Sequence, residues 1–209
     1  MKKIYLNKFR RLSEHCKTGN VLDVGCSALP NPFLRDAYGL DVIMPDVYPE
    51  NYRVIKLSNL NIQSFPFEDG FFHNVIAGDV IEHLENPSFF LREANRVLKY
   101  GGLIVLCTPQ ANDWWVTLHN WFFRSWINDP DPGEHLQNWT ILDMMRLLKK
   151  NGFKVRRVEG LYFKSPLIPI HIRVRRFPQL TWQAIYLAEK VKEADTSILV
   201  KRGGELQKL

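Results

Sequence analysis

The sequence predicts an α/β domain organised on a mostly parallel sheet, and three observations carry that expectation. Short apolar runs recur through the first half, each bounded by Gly, Pro or Asn. Stretches with helical spacing and capping residues stand between and after them. The first apolar run ends directly in Gly25, as a strand does where the backbone must pass close to a ligand. Sheets of this kind take ligands at the carboxyl ends of their strands.

Taken in order, residues 3–17 predict an amphipathic helix, with Ile4, Leu6, Phe9 and Leu12 set among basic residues. Residues 20–25 (NVLDVG) predict a buried parallel strand. Residues 37–42, 52–57 and 74–77 predict three more. The clearest helix covers residues 87–99. Asn86 caps it, Pro87 suits its first turn, and Phe90, Ala94, Val97 and Leu98 form one apolar face. Gly101 and Gly102 stop it, and residues 103–107 (LIVLC) follow as a strand closed by Thr108 and Pro109. Residues 109–138, rich in Trp, Asn, Asp and Pro, read as a structured loop or lid. Thr140 with Asp143 opens a helix that runs to Lys150 and ends at Asn151 and Gly152. Residues 153–158 predict a strand, 161–181 an irregular basic stretch, 182–193 a helix, and 197–201 a last strand.

With 45% hydrophobic and 24% charged residues in 209, the chain has the composition of one soluble domain with a sizeable core. No apolar run reaches the roughly 18 residues of a membrane span. Met1 to Tyr5 carry basic residues with no apolar stretch behind them, so a secretory signal is not expected. Cys16, Cys26 and Cys107 are three in number and lack CxxC spacing, which argues against a disulfide framework and a zinc site. Cys26 and Cys107 fit buried thiols, and together these features favour the cytoplasm. A net charge of +6 and a pI near 9.2 permit an acidic substrate, an anionic membrane surface or RNA, and demand none of them.

Three signals carry chemistry. Residues 21–27 (VLDVGCS) form a strand and glycine turn with amides free for a ligand. Asp41 ends the next strand, where a carboxylate can accept both hydroxyls of a ribose. Then come FPFEDGFFHNVI (65–76), VIEHL (80–84) and RVLKYGG (96–102). In order and spacing, over about 90 residues, these resemble the class I S-adenosylmethionine-dependent methyltransferases of the type 11 group. That family runs "PF-x-(D/N)-x-x-FD-x-V", "EHL" and "RVLKPGG", then a strand ending in "TP". Its usual GCGxG loop is here Gly25-Cys26-Ser27-Ala28-Leu29-Pro30. Asn31-Pro32 and Asn59-Leu60-Asn61 resemble a subgroup with a shortened first crossover.

The resemblance implies a Rossmann-like methyltransferase fold: a central, mostly parallel seven-stranded sheet with a last antiparallel strand and helices on both faces. It implies one domain over 1–209, with a cofactor half (1–108), a lid or substrate loop (109–138) and a C-terminal half (139–209) that holds the basic insert 161–181. It implies S-adenosyl-L-methionine as cofactor. Asp23, Gly25, Cys26 and Ser27 would surround its methionine part, and Asp41 would hold the ribose with Val42 beside the adenine. Asn59 and Leu60 would sit at the adenine edge, and Gly78, Asp79 and Val80 at the sulfonium.

Methyl transfer needs alignment and exclusion of water more than a strong acid or base, although a base helps with a hydroxyl acceptor. His83 and His135 are the candidates, each with a packing role as its alternative. The leading reading is methylation of oxygen or nitrogen on a small molecule or a glycan or lipid precursor. RNA or protein methylation and a catalytically degenerate cofactor-binding protein are the alternatives. Neither (N/D)PP(Y/F) after the fourth strand nor a Pro-Cys nucleophile is present, which disfavours nucleic-acid bases. Lys149, Lys150, Lys154, Arg156, Arg157, Lys164, Arg173, Arg175 and Arg176, opposed only by Glu159, suit an acidic or lipid-linked acceptor, peripheral membrane contact, or simple solvation.

Overall fold

All four residues of β1 (Val21–Val24) are buried, which a strand achieves only at the centre of a sheet covered on both faces. Around it the computed structural model, which describes residues 3–111, 135–164, 171–172, 176–195, 199–202 and 205–208, places β2 (Ala37–Asp41), β3 (Tyr52–Leu57), β4 (Phe72–Gly78), β5 (Leu98–Pro109), β6 (Phe153–Lys164), β7 (His171–Ile172) and β8 (Gln183–Lys190). Their order is β3-β2-β1-β4-β5-β8-β6-β7. Strands β1 to β5 pair in parallel, and β8 runs antiparallel to both β5 and β6. This is the expected seven-stranded sheet with one reversed strand, extended at its edge by the two-residue β7.

Alternation along the strands divides the core in two. On one face α1 (Lys3–Glu14) sets Phe9 and Leu12 against Val21, Ile76, Val105 and Ile185. On the other, α2 (Pro87–Val97) and α3 (Ile141–Lys150) set Phe90, Leu91, Met144 and Leu148 against Leu22, Val24, Val75 and Ile104. Each such side chain contributes about 1.5–3 kcal/mol by leaving water. Both predicted caps form: Asn86 Oδ1 accepts from the Phe89 amide at 3.1 Å, and Thr140 Oγ1 from the Asp143 amide at 3.1 Å. Among the described residues no helix is long and apolar enough to cross a membrane.

The structure corrects three expectations. Residues 182–193 are not a helix, because β8 occupies Gln183–Lys190. Its sequence, QAIYLAEK, has good helix formers, but insertion between β5 and β6 buries it on both faces, and packing overrides propensity. The described part of 197–201 does not close the main sheet. There β9 (Leu199–Arg202) pairs with β10 (Glu205–Lys208) in a separate two-stranded sheet, and β8 is the reversed strand. The described parts of 161–181 are not all irregular, since β6 continues to Lys164, β7 covers His171–Ile172 and a 3-10 turn covers Pro178–Leu180.

Between β1 and β2 the chain forms turns and no helix. Asn31, fully buried, replaces the missing helix as an anchor. Its Nδ2 donates to Phe9 O at 3.3 Å and to Ser13 Oγ at 3.1 Å, and its Oδ1 accepts from the Phe33 amide at 3.0 Å. The loop is thereby tied to α1. Most of the predicted lid, including Trp114, Trp115, Trp121, Phe122, Phe123 and Trp126, lies outside the described residues. Its two ends meet where the Ala111 amide donates to Trp139 O at 2.9 Å.

Candidate cofactor site

The carboxyl ends of β1, β2 and β4 converge on Gly25. Its φ of +76° is left-handed, and a Cβ there would stand 2.6 Å from Val80 Cγ2, so only glycine is unstrained. Two residues on, the Ser27 amide donates to Asp41 Oδ2 at 2.7 Å, while the Val42 amide donates to Asp41 Oδ1 at 2.6 Å. The Ser27 hydroxyl donates to Ile43 O at 2.6 Å. Asp41 is thus held in one orientation at the rim, half-buried, and each of its oxygens keeps a second acceptor site. Val42 beside it is exposed. This geometry fits a ribose diol at Asp41 with an adenine over Val42.

Asn59 is exposed after β3, with its Oδ1 accepting from the Asn61 amide at 3.0 Å. Leu60 sends its side chain into the core, so only its backbone is available to a ligand. Cys26 is likewise buried and packs on Gly39 and Ile55 on the α1 face. Burial pushes the Cys26 thiol up to about 12, as an inert structural cysteine requires. Asp23 is also buried, and its carboxylate accepts from the Tyr52 hydroxyl. Burial raises its pKa to about 7, against the opposing effect of the bonds from Tyr52 and the Asn31 amide.

At the end of β4, Asp79 has a left-handed φ of +57°, and its amide donates to Cys107 O at 2.9 Å. Its carboxylate is shared by two residues that the sequence pattern does not single out. Lys8 of α1 donates to Oδ2, and Gln183 Nε2 donates to Oδ1 at 2.8 Å. Burial acts to lower the Lys8 pKa, but Asp79, Cys107 and Glu82 together outweigh it and the net shift is upward. The ammonium therefore stays charged. Gly78 faces α1, where a Cβ would come within 3.1 Å of Leu12 Cδ1. No pattern in α1 marks Lys8 as an inward-facing cation.

Val80 leads into a single 3-10 turn, Ile81–His83. Glu82 in this turn is 1% exposed. Its Oε2 accepts from Thr108 Oγ1 at 3.0 Å, and its Oε1 has no hydrogen-bond partner among the described residues. Burial, reinforced by Asp79, raises its pKa to about 8. The Glu82 carbonyl accepts the Leu136 and Gln137 amides at 2.9 Å each. That tie brings His135 to His83, with ring centroids 4.9 Å apart and planes at 56°. The two histidines are predicted separately and the structure joins them; Glu82 is legible in the sequence only as part of the EHL segment.

A cavity of about 790 Å³ lies apart from these residues, beside β2 and β3, lined by Tyr38, Val54, Lys56, Phe67, Phe71 and Arg96 among others. It has none of the glycine-turn and carboxylate geometry described above, and the strand ends take precedence over its size.

Comparison with known proteins identifies the family. A family model described as a methyltransferase domain matches residues 1–158. The chain belongs to that family, the class I S-adenosylmethionine-dependent methyltransferases. A probable S-adenosylmethionine-dependent methyltransferase of Mycolicibacterium smegmatis is 26% identical over 172 residues, 79% of this chain and 63% of that protein. Another, of Mycobacterium tuberculosis, is 30% identical over 109 residues, 48% of this chain and 39% of the relative. The chain thus spans less than two thirds of the length of either relative. Among solved structures, a Thermotoga maritima S-adenosylmethionine-dependent methyltransferase, described as a possible histamine N-methyltransferase, superposes with a TM-score of 0.67 at 17% identity, covering 90% of this chain and 92% of its own. At that identity the likeness concerns the fold.

Proposed function

We propose that this chain transfers the methyl group of S-adenosylmethionine to an oxygen or nitrogen of a small molecule or of a glycan or lipid precursor. The observation that carries this reading is the Asp41 carboxylate, fixed by the Ser27 and Val42 amides beside the Gly25 turn at the carboxyl edge of a parallel sheet. Bound there, the cofactor supplies an electrophilic methyl on a sulfonium. The protein's part is placement. Asp41 orients the ribose, the backbone at Gly25 allows close approach, and Lys8 and Gln183 hold the Asp79 carboxylate in place.

His83 and His135 stand together just beyond β4. An imidazole there can take the proton that an acceptor hydroxyl or amine loses. The exposed Lys149, Lys150 and Lys154 favour an acidic or lipid-linked acceptor or an anionic surface.

Calorimetric titration with S-adenosylmethionine and with S-adenosylhomocysteine tests the cofactor half of the reading, and transfer of labelled methyl to a panel of small hydroxyl and amine acceptors tests the rest. Binding of both ligands with an upward thermal shift is expected. Absence of heat and of any shift at millimolar cofactor overturns the enzyme reading.

A further inference from the structure

We infer that Glu82, His83 and His135 form a binding site for a divalent transition-metal ion. One carboxylate oxygen and one imidazole nitrogen from each histidine lie within 4.8 Å of one another. Bonds of about 2.0–2.2 Å to zinc place neighbouring ligand atoms roughly 3–4 Å apart, so small side-chain rotations close the site. The backbone already holds the approach, because residues 136 and 137 are hydrogen-bonded to the carbonyl of Glu82.

A second, independent observation points to a ligand. Glu82 Oε1 is buried without a hydrogen-bond partner among the described residues, in a side chain whose other oxygen is fixed by Thr108. A buried carboxylate oxygen left bare bears its full desolvation cost, and a cation beside it removes that cost. Thr108 then acts as the outer partner that orients a metal-binding carboxylate.

The donor set selects the ion. Two imidazoles and one carboxylate suit zinc, manganese, iron(II) or cobalt, whereas magnesium and calcium favour oxygen donors throughout. Three protein ligands leave positions open for an oxygen of the methyl acceptor. That use of the ion rests on the methyltransferase reading; the metal site itself does not.

The test is titration of the metal-free full chain with Co²⁺, read by its visible ligand-field bands and by calorimetry, followed by displacement with Zn²⁺. One Co²⁺ per chain is expected, with affinity falling at least ~10-fold in Glu82→Gln and in His135→Ala. Glu82→Gln keeps the shape and the acceptor for Thr108, and His135 is only partly buried. Thermal melts and S-adenosylhomocysteine binding are measured on the same samples to show that the variants fold. A chain that binds S-adenosylhomocysteine but no Co²⁺ overturns the metal site and leaves the methyltransferase reading standing. Undiminished Co²⁺ binding in both variants also overturns it. Co²⁺ binding that the variants abolish, without cofactor binding, supports the site and removes the methyltransferase reading.

Discussion

The two ends of the central sheet treat charge in opposite ways. At the amino end, Arg96 is surrounded by compensating groups. It donates to Asp69 at 2.5 Å, to Glu93 at 2.7 Å, and to the Phe65 and Phe67 carbonyls at 2.9 Å each. Glu93 in turn accepts from the Phe65 amide at 2.8 Å. Tyr38, Phe67, Phe71 and Phe72 pack edge-to-face beside this knot, with centroids 5.0–6.1 Å apart. At the carboxyl end, Asp23 and Glu82 are buried carboxyls with pKa values raised to about 7 and about 8. One end is stabilised by its charges. The other holds poorly solvated carboxyls, as functional sites do. The family pattern over residues 65–102 is thus largely the signature of the stabilising end.

This contrast can be broken or sharpened by measurement. The largest effect is expected from Asp23→Asn. Below about pH 4 the Asp23 carboxyl is protonated both folded and unfolded, and its contribution to stability is fully present. As pH rises, the unfolded chain ionises first, near the ordinary value of 3.8, while the folded protein keeps the proton to about 7. Stability is therefore lost across pH 4–7 and stays lost above it. The carboxamide of the variant has no proton to lose in this range, so the variant gains on the parent by on the order of 3 kcal/mol between pH 4 and pH 8 in denaturant melts. Equal slopes in the two proteins would show that burial of the Asp23 carboxyl does not destabilise the carboxyl end.

Arg96→Ala should act in the other direction. It strands the buried Glu93 and the Phe65 carbonyl, and a loss of roughly 2–3 kcal/mol is expected at pH 7, reduced from that of a fully buried pair because Arg96 is partly exposed. Affinity for S-adenosylhomocysteine in the folded fraction should not change, and a fall in affinity with unchanged stability would erase the distinction between the ends. Asp41→Ala should weaken S-adenosylhomocysteine by about 1–3 kcal/mol, read by calorimetry, with little change in melting temperature. Unchanged affinity removes Asp41 from the site.

Local pattern was enough for most of the first half. Residues 52–57 are β3 with the predicted bounds, and Asn86 and Thr140 cap the helices they were expected to cap. These features depend on neighbours a few residues away, which spacing and side-chain chemistry reveal. The relation of Gly25 to Asp41 was legible for the same reason, since both lie at the ends of adjacent predicted strands. Tertiary structure alone decided the rest. Gln183–Lys190 is a strand because β5 and β6 enclose it, against its own helix-forming residues. Lys8 meets Asp79 across 71 positions, and His135 reaches Glu82 and His83 through hydrogen bonds between distant backbone segments. Such pairings arise when the chain closes over its core, where burying a charge compels it to find a partner that sequence spacing does not specify.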